Sequence, residues 1–151
     1  IYLSDIILNK FLNEEIREKQ KLVYSIGSFD SLSSLPKPNH LMFMYFDCDP
    51  ENVQKIINEI DKFLLKIKKG DFDNKYLEDA KQKYLNDLGA SKQTNSFWTS
   101  AINQYYFNNE NFNEIKNLEK KVNLINKKDI VDYFNYTFKE NFLLASFLPK
   151  N

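Results

Sequence analysis

One cysteine, one histidine, three glycines and four prolines are all that this 151-residue chain has of those types, and its formal net charge is zero. Each scarcity excludes something. A lone Cys48 cannot form an intrachain disulfide, and the redox compartment cannot be read from it. Twenty-one Lys and Arg balanced by 21 Asp and Glu leave no excess positive charge, on which a dedicated nucleic-acid binder relies. No apolar run approaches the ~20 residues that a membrane-spanning helix needs. The chain begins at Ile1 without a signal-peptide pattern. It is expected to be a single domain, residues 1–151, cut from the C-terminal part of a larger multi-domain protein. Few glycines and prolines beside many asparagines and lysines are read as a bias of the source genome. What is present is apolar: 42% hydrophobic and 15% aromatic residues suffice for a packed core and exclude a disordered chain.

The periodicity is mainly helical. In residues 2 to 20, Leu3, Ile7 and Phe11 form one stripe, and Leu8, Leu12 and Ile16 the neighbouring one. Residues 22 to 29 alternate, Leu22, Tyr24 and Ile26 one way, Val23, Ser25 and Gly27 the other, as a strand does. "SSLPKPN" (33 to 39) reads as a loop broken by Pro36 and Pro38. "LMFMYF" (41 to 46) is apolar throughout, which predicts a central strand covered on both faces, or at least on most of its area.

Asp49, Pro50 and Glu51 predict a helix start, with Asp49 as the cap. The helix carries Val53, Ile56, Ile57, Ile60, Phe63, Leu64 and Ile67 and stops at Gly70 behind Lys66, Lys68 and Lys69. A second helix from about Asn74 buries Leu77, Ala80, Tyr84 and Leu88; a third from Ser96 turns Trp98, Ala101, Ile102 and Tyr105 inward. Phe112, Ile115, Leu118 and Val122 suggest a short helix. Asn126 and Asp129 predict a capping box before Ile130, Tyr133, Phe134 and Phe138. "NFLLASFLP" (141 to 149) reads as a closing strand stopped by Pro149. Three strands and five or more amphipathic helices predict an α+β fold: a two-layer α/β sandwich, mostly antiparallel, with helices packed on one face. A helix-first order also suggests a sheet edge filled by another chain or domain.

Several residues have ordinary readings. His40 is expected to be solvated in its loop, and one histidine is poor evidence for a metal site. Cys48 reads as a small apolar residue at a strand end; as a nucleophile it would need His40. Glu14, Glu15 and Glu18 read as a solvated face, and the lysines of 66–69 as helix C-terminal charges. Tyr105, Tyr106 and Phe107 are expected in the core, since no basic groove accompanies them. Asn95 and Trp98 read as packing residues. On pattern alone, Arg17 would be a helix-terminal cation paired with Glu14 or Asn13, and Tyr24 a strand aromatic with a wet hydroxyl.

The ordered set "LNEEIREKQKLVYSI", "FDCDPENVQKIINEIDKFLLKIKKGDF", "YLEDAKQKYLN", "NSFWTSAINQYYF", "INKKDIVDYFNYTF" and the final "FLP" resembles the C-terminal domain of the pitrilysin/insulinase family of zinc metallopeptidases. The resemblance covers nearly the whole chain and implies a domain that forms one wall of a cleavage chamber. In that family the zinc sits on an inverted His-x-x-Glu-His motif of an N-terminal domain. With one histidine this chain cannot carry that motif, so no metal or cofactor is expected here and zinc is expected in the parent protein. The implied partners are the catalytic zinc domain, in the same polypeptide or a separate subunit, and a peptide substrate, with no nucleic acid and no membrane. The resemblance also implies that Arg17 and Tyr24, seven apart as in the family, contact the substrate. A phenol donor aimed at a developing oxyanion is typically worth ~3 kcal/mol in barrier, and a guanidinium offers fixed donors to peptide carbonyls. The alternative it leaves open is a non-catalytic scaffold or docking domain of a processing-peptidase or core-protein-like subunit.

Overall fold

A computed structural model describes residues 1–33, 36–139 and 142–147. Helix α1 runs from Tyr2 to Phe11 and continues without a break into a wider, π-wound stretch, Leu12–Lys19. Both stripes read from the sequence are buried: Leu3, Ile7 and Phe11, and Leu8, Leu12 and Ile16. A stripe with a four-residue repeat drifts around a 3.6-residue helix, and widening the later turns counters that drift, keeping Leu12 and Ile16 on the core. Bonds from the Gln20 amide to the Glu15 carbonyl (3.3 Å) and from the Leu22 amide to the Ile16 carbonyl (3.3 Å) close the helix. Lys21, left-handed at φ 52°, turns the chain out of it.

Strands β1 (Ser25–Ser33) and β2 (Asn39–Asp47) form an antiparallel hairpin in which Phe29 faces Phe43. β1 thus starts later and ends later than its alternation suggested. Ser33 and Asn39 belong to strands, and Ser34 and Leu35 lie outside the described residues. The pairing puts Ile26, Ser28 and Asp30 with Phe46, Met44 and Met42 on the inner face, towards the helices. Gly27, Phe29 and Ser31 with Tyr45, Phe43 and Leu41 form the outer face, and there the reading of 41–46 as covered on both sides is corrected. Leu41, Phe43 and Tyr45 are exposed, because the helices lie on one side only. The outer face covers itself in part: Phe29 and Phe43 stack at 4.8 Å, and the Tyr45 ring lies over Gly27, where a Cβ would stand 2.8 Å from the phenol oxygen.

Asp49 precedes a short 3₁₀ turn (Pro50–Asn52) and helix α2 (Val53–Lys68). Gly70, at φ +73°, ends α2, its amide bonded to the Ile67 carbonyl at 2.8 Å. Asp73 caps α3 (Asn74–Ser91), and Thr94 caps α4 (Asn95–Phe107), two residues before the start that the sequence suggested. A 3₁₀ turn (Phe112–Asn117) leads into α5 (Leu118–Leu124). The expected capping box of Asn126 and Asp129 opens α6 (Lys127–Thr137), with the Asn126 amide donating to Asp129 at 2.8 Å. The core joins Ile7, Leu8, Leu12 and Ile16 to Ile56, Ile60 and Ile67 of α2, Leu77 of α3 and Ile130 and Phe134 of α6; Phe11 stacks on Phe63 at 3.5 Å.

The periphery departs from the sequence reading. Ile102 is exposed rather than inward, as are Tyr106 and Phe107, because α4 rests mainly on the Phe112–Asn117 turn and buries only Ala101. Trp98 lies at the rim, its indole N–H donating to the Lys92 carbonyl at 2.8 Å. Residues 142–147 form no strand, and Phe147 is 98% exposed, because no neighbouring strand among the described residues pairs with them. Pro149 lies outside the described residues. The fold is the expected α+β class, helices packed on one face of an antiparallel sheet, with two described strands in place of three.

A side-chain amide ties the helices to the hairpin at Ser28. Asn9 of α1 accepts from the Ser28 amide through Oδ1 (2.8 Å) and donates through Nδ2 to the Ser28 carbonyl (3.0 Å), as a neighbouring strand would. The Ser28 hydroxyl donates to Asp5 Oδ1 at 2.6 Å. Asn9→Ala leaves a half-buried backbone amide and carbonyl unpaired, which costs roughly 1–3 kcal/mol per site. Urea denaturation should show that loss with an unchanged slope; a shift below about 0.3 kcal/mol would contradict this role for Asn9.

Candidate functional site

The helix-to-strand corner holds both residues singled out by the sequence. Arg17 sits in the last turns of the π-wound stretch and Tyr24 directly before β1, and both are exposed. The simple pairing considered for Arg17 is not formed. Glu14 forms an ion pair with Lys10 at 3.7 Å, Glu15 accepts from Lys19 at 2.5 Å, and the Asn13 side chain donates to the Asn9 carbonyl. Among the described residues, Arg17 makes no hydrogen bond or ion pair. A guanidinium with its donors free, on a helix packed from below by Leu12 and Ile16, is mounted firmly and directed outward.

Tyr24 is 69% exposed. Its backbone is fixed, since its amide donates to the Asp47 carbonyl at 2.7 Å and the next residue's Ser25 hydroxyl donates to the Asp47 carboxylate at 2.6 Å. Its phenol is engaged as well: the hydroxyl donates to Asp49 Oδ1 at 2.9 Å. That bond, and then the negative charge of Asp49, hold the phenol proton above its ordinary range. Asp49 is thereby diverted from the capping role expected of it. Its backbone has the extended conformation of a cap (φ −62°, ψ 141°), yet its side chain bonds no amide of the following turn. Arg17 and Tyr24 flank the same helix-to-strand connection, and no bond links them.

A second polar cluster lies on the inner face of the hairpin. His40 Nε2 stands 2.6 Å from Asp30 Oδ1, and the Tyr133 hydroxyl stands 3.0 Å from the same oxygen and 3.1 Å from Nε2. An ionised carboxylate only accepts, so both His40 and Tyr133 donate to it. The reading of His40 as a solvated loop residue is corrected: it belongs to β2 and is mostly covered, and the Asp30 side chain is 5% exposed. Asp30 Oδ2 is buried and has no hydrogen-bond partner among the described residues. Burial first, then the charge of Asp30, push the Tyr133 phenol far above its ordinary value. Sequence reading missed both acidic partners, Asp30 and Asp49, because each lies far along the chain from the phenol it binds; the strand register is the signal that places Asp30 beside Met42, two residues from His40.

The donor set does not fit a zinc ion. His40 is committed to Asp30, Cys48 is half-buried with its thiol pushed up by burial, and no group of three or more His, Cys, Asp or Glu converges among the described residues. What the geometry defines is a helix-backed sheet domain with an exposed guanidinium at the end of its first helix and an exposed tyrosine directly before β1, and with no cluster of three or more metal-ligating side chains among the described residues.

Comparisons with known proteins bear on the family and the fold. The family model described as the peptidase M16 inactive domain matches residues 1–84, just over half of the chain. This chain belongs to the peptidase M16 family, that of pitrilysin and insulinase, as its non-catalytic C-terminal domain. No curated protein matches. Among solved structures, a protease from Helicobacter pylori is 20% identical with a TM-score of 0.71, over 92% of this chain and 35% of that one. The periplasmic protease PqqL from Escherichia coli is 17% identical (TM-score 0.69), over 88% of this chain and 15% of that one. A peptidase M16 inactive domain from Pseudomonas fluorescens is 17% identical (TM-score 0.71), over 91% and 34%. At these identities the likeness is one of fold, and this chain spans roughly a third or less of each of those proteins.

The Tyr133 cluster makes a testable demand. Because the folded state holds the Tyr133 phenol proton above the unfolded value of 10.0, its contribution is complete below pH 10 and declines as pH rises beyond it. Tyr133→Phe should cost roughly 1–3 kcal/mol at neutral pH and lose less further stability between neutrality and pH 11 than the wild type does. Parallel urea titrations check this; identical alkaline losses in the two proteins would contradict it.

Proposed function

We propose that this domain forms part of the wall of the cleavage chamber in a larger pitrilysin-like zinc metallopeptidase. Its partner is the catalytic zinc domain, in the same polypeptide or on a separate subunit. The observation that supports this most directly is the helix-to-strand connection itself: Arg17 exposed and without a bond among the described residues, and Tyr24 with its ring in solvent on a backbone held by Asp47. Arg17 offers a planar fork to carbonyl oxygens of an extended peptide and so sets its position. Tyr24 offers one O–H to the oxygen that becomes negative as the scissile carbonyl turns tetrahedral, an interaction that strengthens as the charge develops. The zinc domain supplies the activated water. The domain alone is not an enzyme on this reading.

A second reading, scaffold or docking domain of a processing-peptidase or core-protein-like subunit, is favoured by the open outer face of the hairpin, where Phe29, Leu41, Phe43 and Tyr45 lie exposed. Kinetics in the intact parent separate the two. Tyr24→Phe should lower kcat by about 10²-fold, the size of one lost oxyanion donor, and leave KM and the unfolding midpoint close to wild type. Arg17→Ala should chiefly raise KM. Wild-type kcat in the Tyr24 variant would remove the oxyanion role and leave the scaffold reading.

A further inference from the structure

We propose that Asp49 is a positioning residue for Tyr24, parking the phenol so that it ignores neutral peptide carbonyls and is released only to a more basic oxygen. The inference rests on the reading of Tyr24 as a substrate-facing donor.

Three observations carry it. A phenol has one proton to donate, and here Asp49 Oδ1 accepts it at 2.9 Å. Asp49 has the backbone of a helix cap but makes no capping bond, so its carboxylate is turned to the phenol instead of to the amides beside it. The main chain at the same point is held by the 2.7 Å bond from the Tyr24 amide to the Asp47 carbonyl, while the ring is exposed. The phenol can therefore leave Asp49 by side-chain rotation, with the strand undisturbed.

The competition between acceptors fixes the consequence. A carboxylate is a stronger acceptor for a phenol than a neutral carbonyl, and charge-assisted bonds are roughly twice as strong as neutral ones. A substrate carbonyl in the ground state therefore does not displace Asp49. The alkoxide-like oxygen of a tetrahedral intermediate is more basic than a carboxylate and does. Tyr24 then binds the reacting carbonyl only after charge has formed, so its bond adds to turnover and not to substrate affinity. The raised proton affinity of the phenol agrees with a carboxylate partner.

Kinetics and titration in the intact parent protein test this. Asp49→Ala frees the donor, so KM should fall about three- to tenfold as Tyr24 pairs with the ground-state carbonyl, and kcat/KM should rise. In a Tyr24→Phe background the same substitution should do nothing. Separately, Tyr24→3-fluorotyrosine gives a ¹⁹F signal whose titration midpoint should drop on adding Asp49→Asn and stay in place on adding Asp47→Asn. An unmoved midpoint with Asp49→Asn, an equal drop with Asp47→Asn, or an Asp49→Ala effect that persists without the Tyr24 hydroxyl overturns the parking role alone. A Tyr24→Phe protein with wild-type kinetics overturns the substrate-facing reading and this inference with it.

Discussion

The hairpin of this domain has only two described strands, and a two-stranded ribbon is marginal by itself in water. What makes it a fixed surface is the polar attachment of its inner face to helices α1 and α6. Asn9 takes both backbone groups of Ser28, and Asp5 takes the Ser28 hydroxyl. Two residues further along, Asp30 binds His40 across the strands and Tyr133 from α6. Around these lie Ile26, Met42, Met44 and Phe46, packed on the core. Apolar burial alone would allow the ribbon to slide or tilt on the helices. Half-buried hydrogen bonds do not, since each slip leaves polar groups unpaired at a cost of roughly 1–3 kcal/mol. The position of the corner at the start of β1 follows from this attachment.

The outer side of the same hairpin shows the opposite economy. Helices cover one face, so Phe29, Leu41, Phe43 and Tyr45 meet solvent and protect one another by stacking and by the Tyr45 ring over Gly27. Asn9 also occupies the free edge of β1 at Ser28, where a further strand would otherwise bond. An added strand beside β1 would have to displace that amide. On the reading proposed for this domain, the corner and the open face belong to an assembly in which another domain supplies the metal chemistry.

The parts legible in the sequence are those governed by local periodicity and capping. The stripes of α1, the apolar spacing of α2 with its stop at Gly70, and the Asn126–Asp129 box were all readable, because each depends on residues within a turn or two. The strand 41–46 was misread as central because six consecutive apolar residues fit a covered strand equally well as a ribbon with one self-shielding aromatic face. Ile102, Tyr106 and Phe107 were misread because aromatic content says nothing about whether a partner helix reaches that side. Arg17 and Tyr24 are singled out by a family resemblance alone, and the π-wound turns that carry Arg17 had no signal beyond the four-residue stripe. Asp49 carried a misleading one: before Pro50 it looks like a cap, and only the fold brings it to the Tyr24 phenol, 25 residues away in the chain. His40 looked solvated because its partners, Asp30 and Tyr133, are 10 and 93 residues away.

The central claim is that a peptide substrate lies against the Arg17–Tyr24 corner, and proximity tests it more directly than rate does. A photo-crosslinking benzophenone side chain is placed at position 24 of the intact parent protein, and at the exposed Tyr136 of α6 as a control. Irradiation with a bound, labelled peptide should join the peptide to position 24 and leave position 136 unlabelled. Equal labelling at the two positions, or none at position 24 while the peptide is demonstrably bound, would contradict the account.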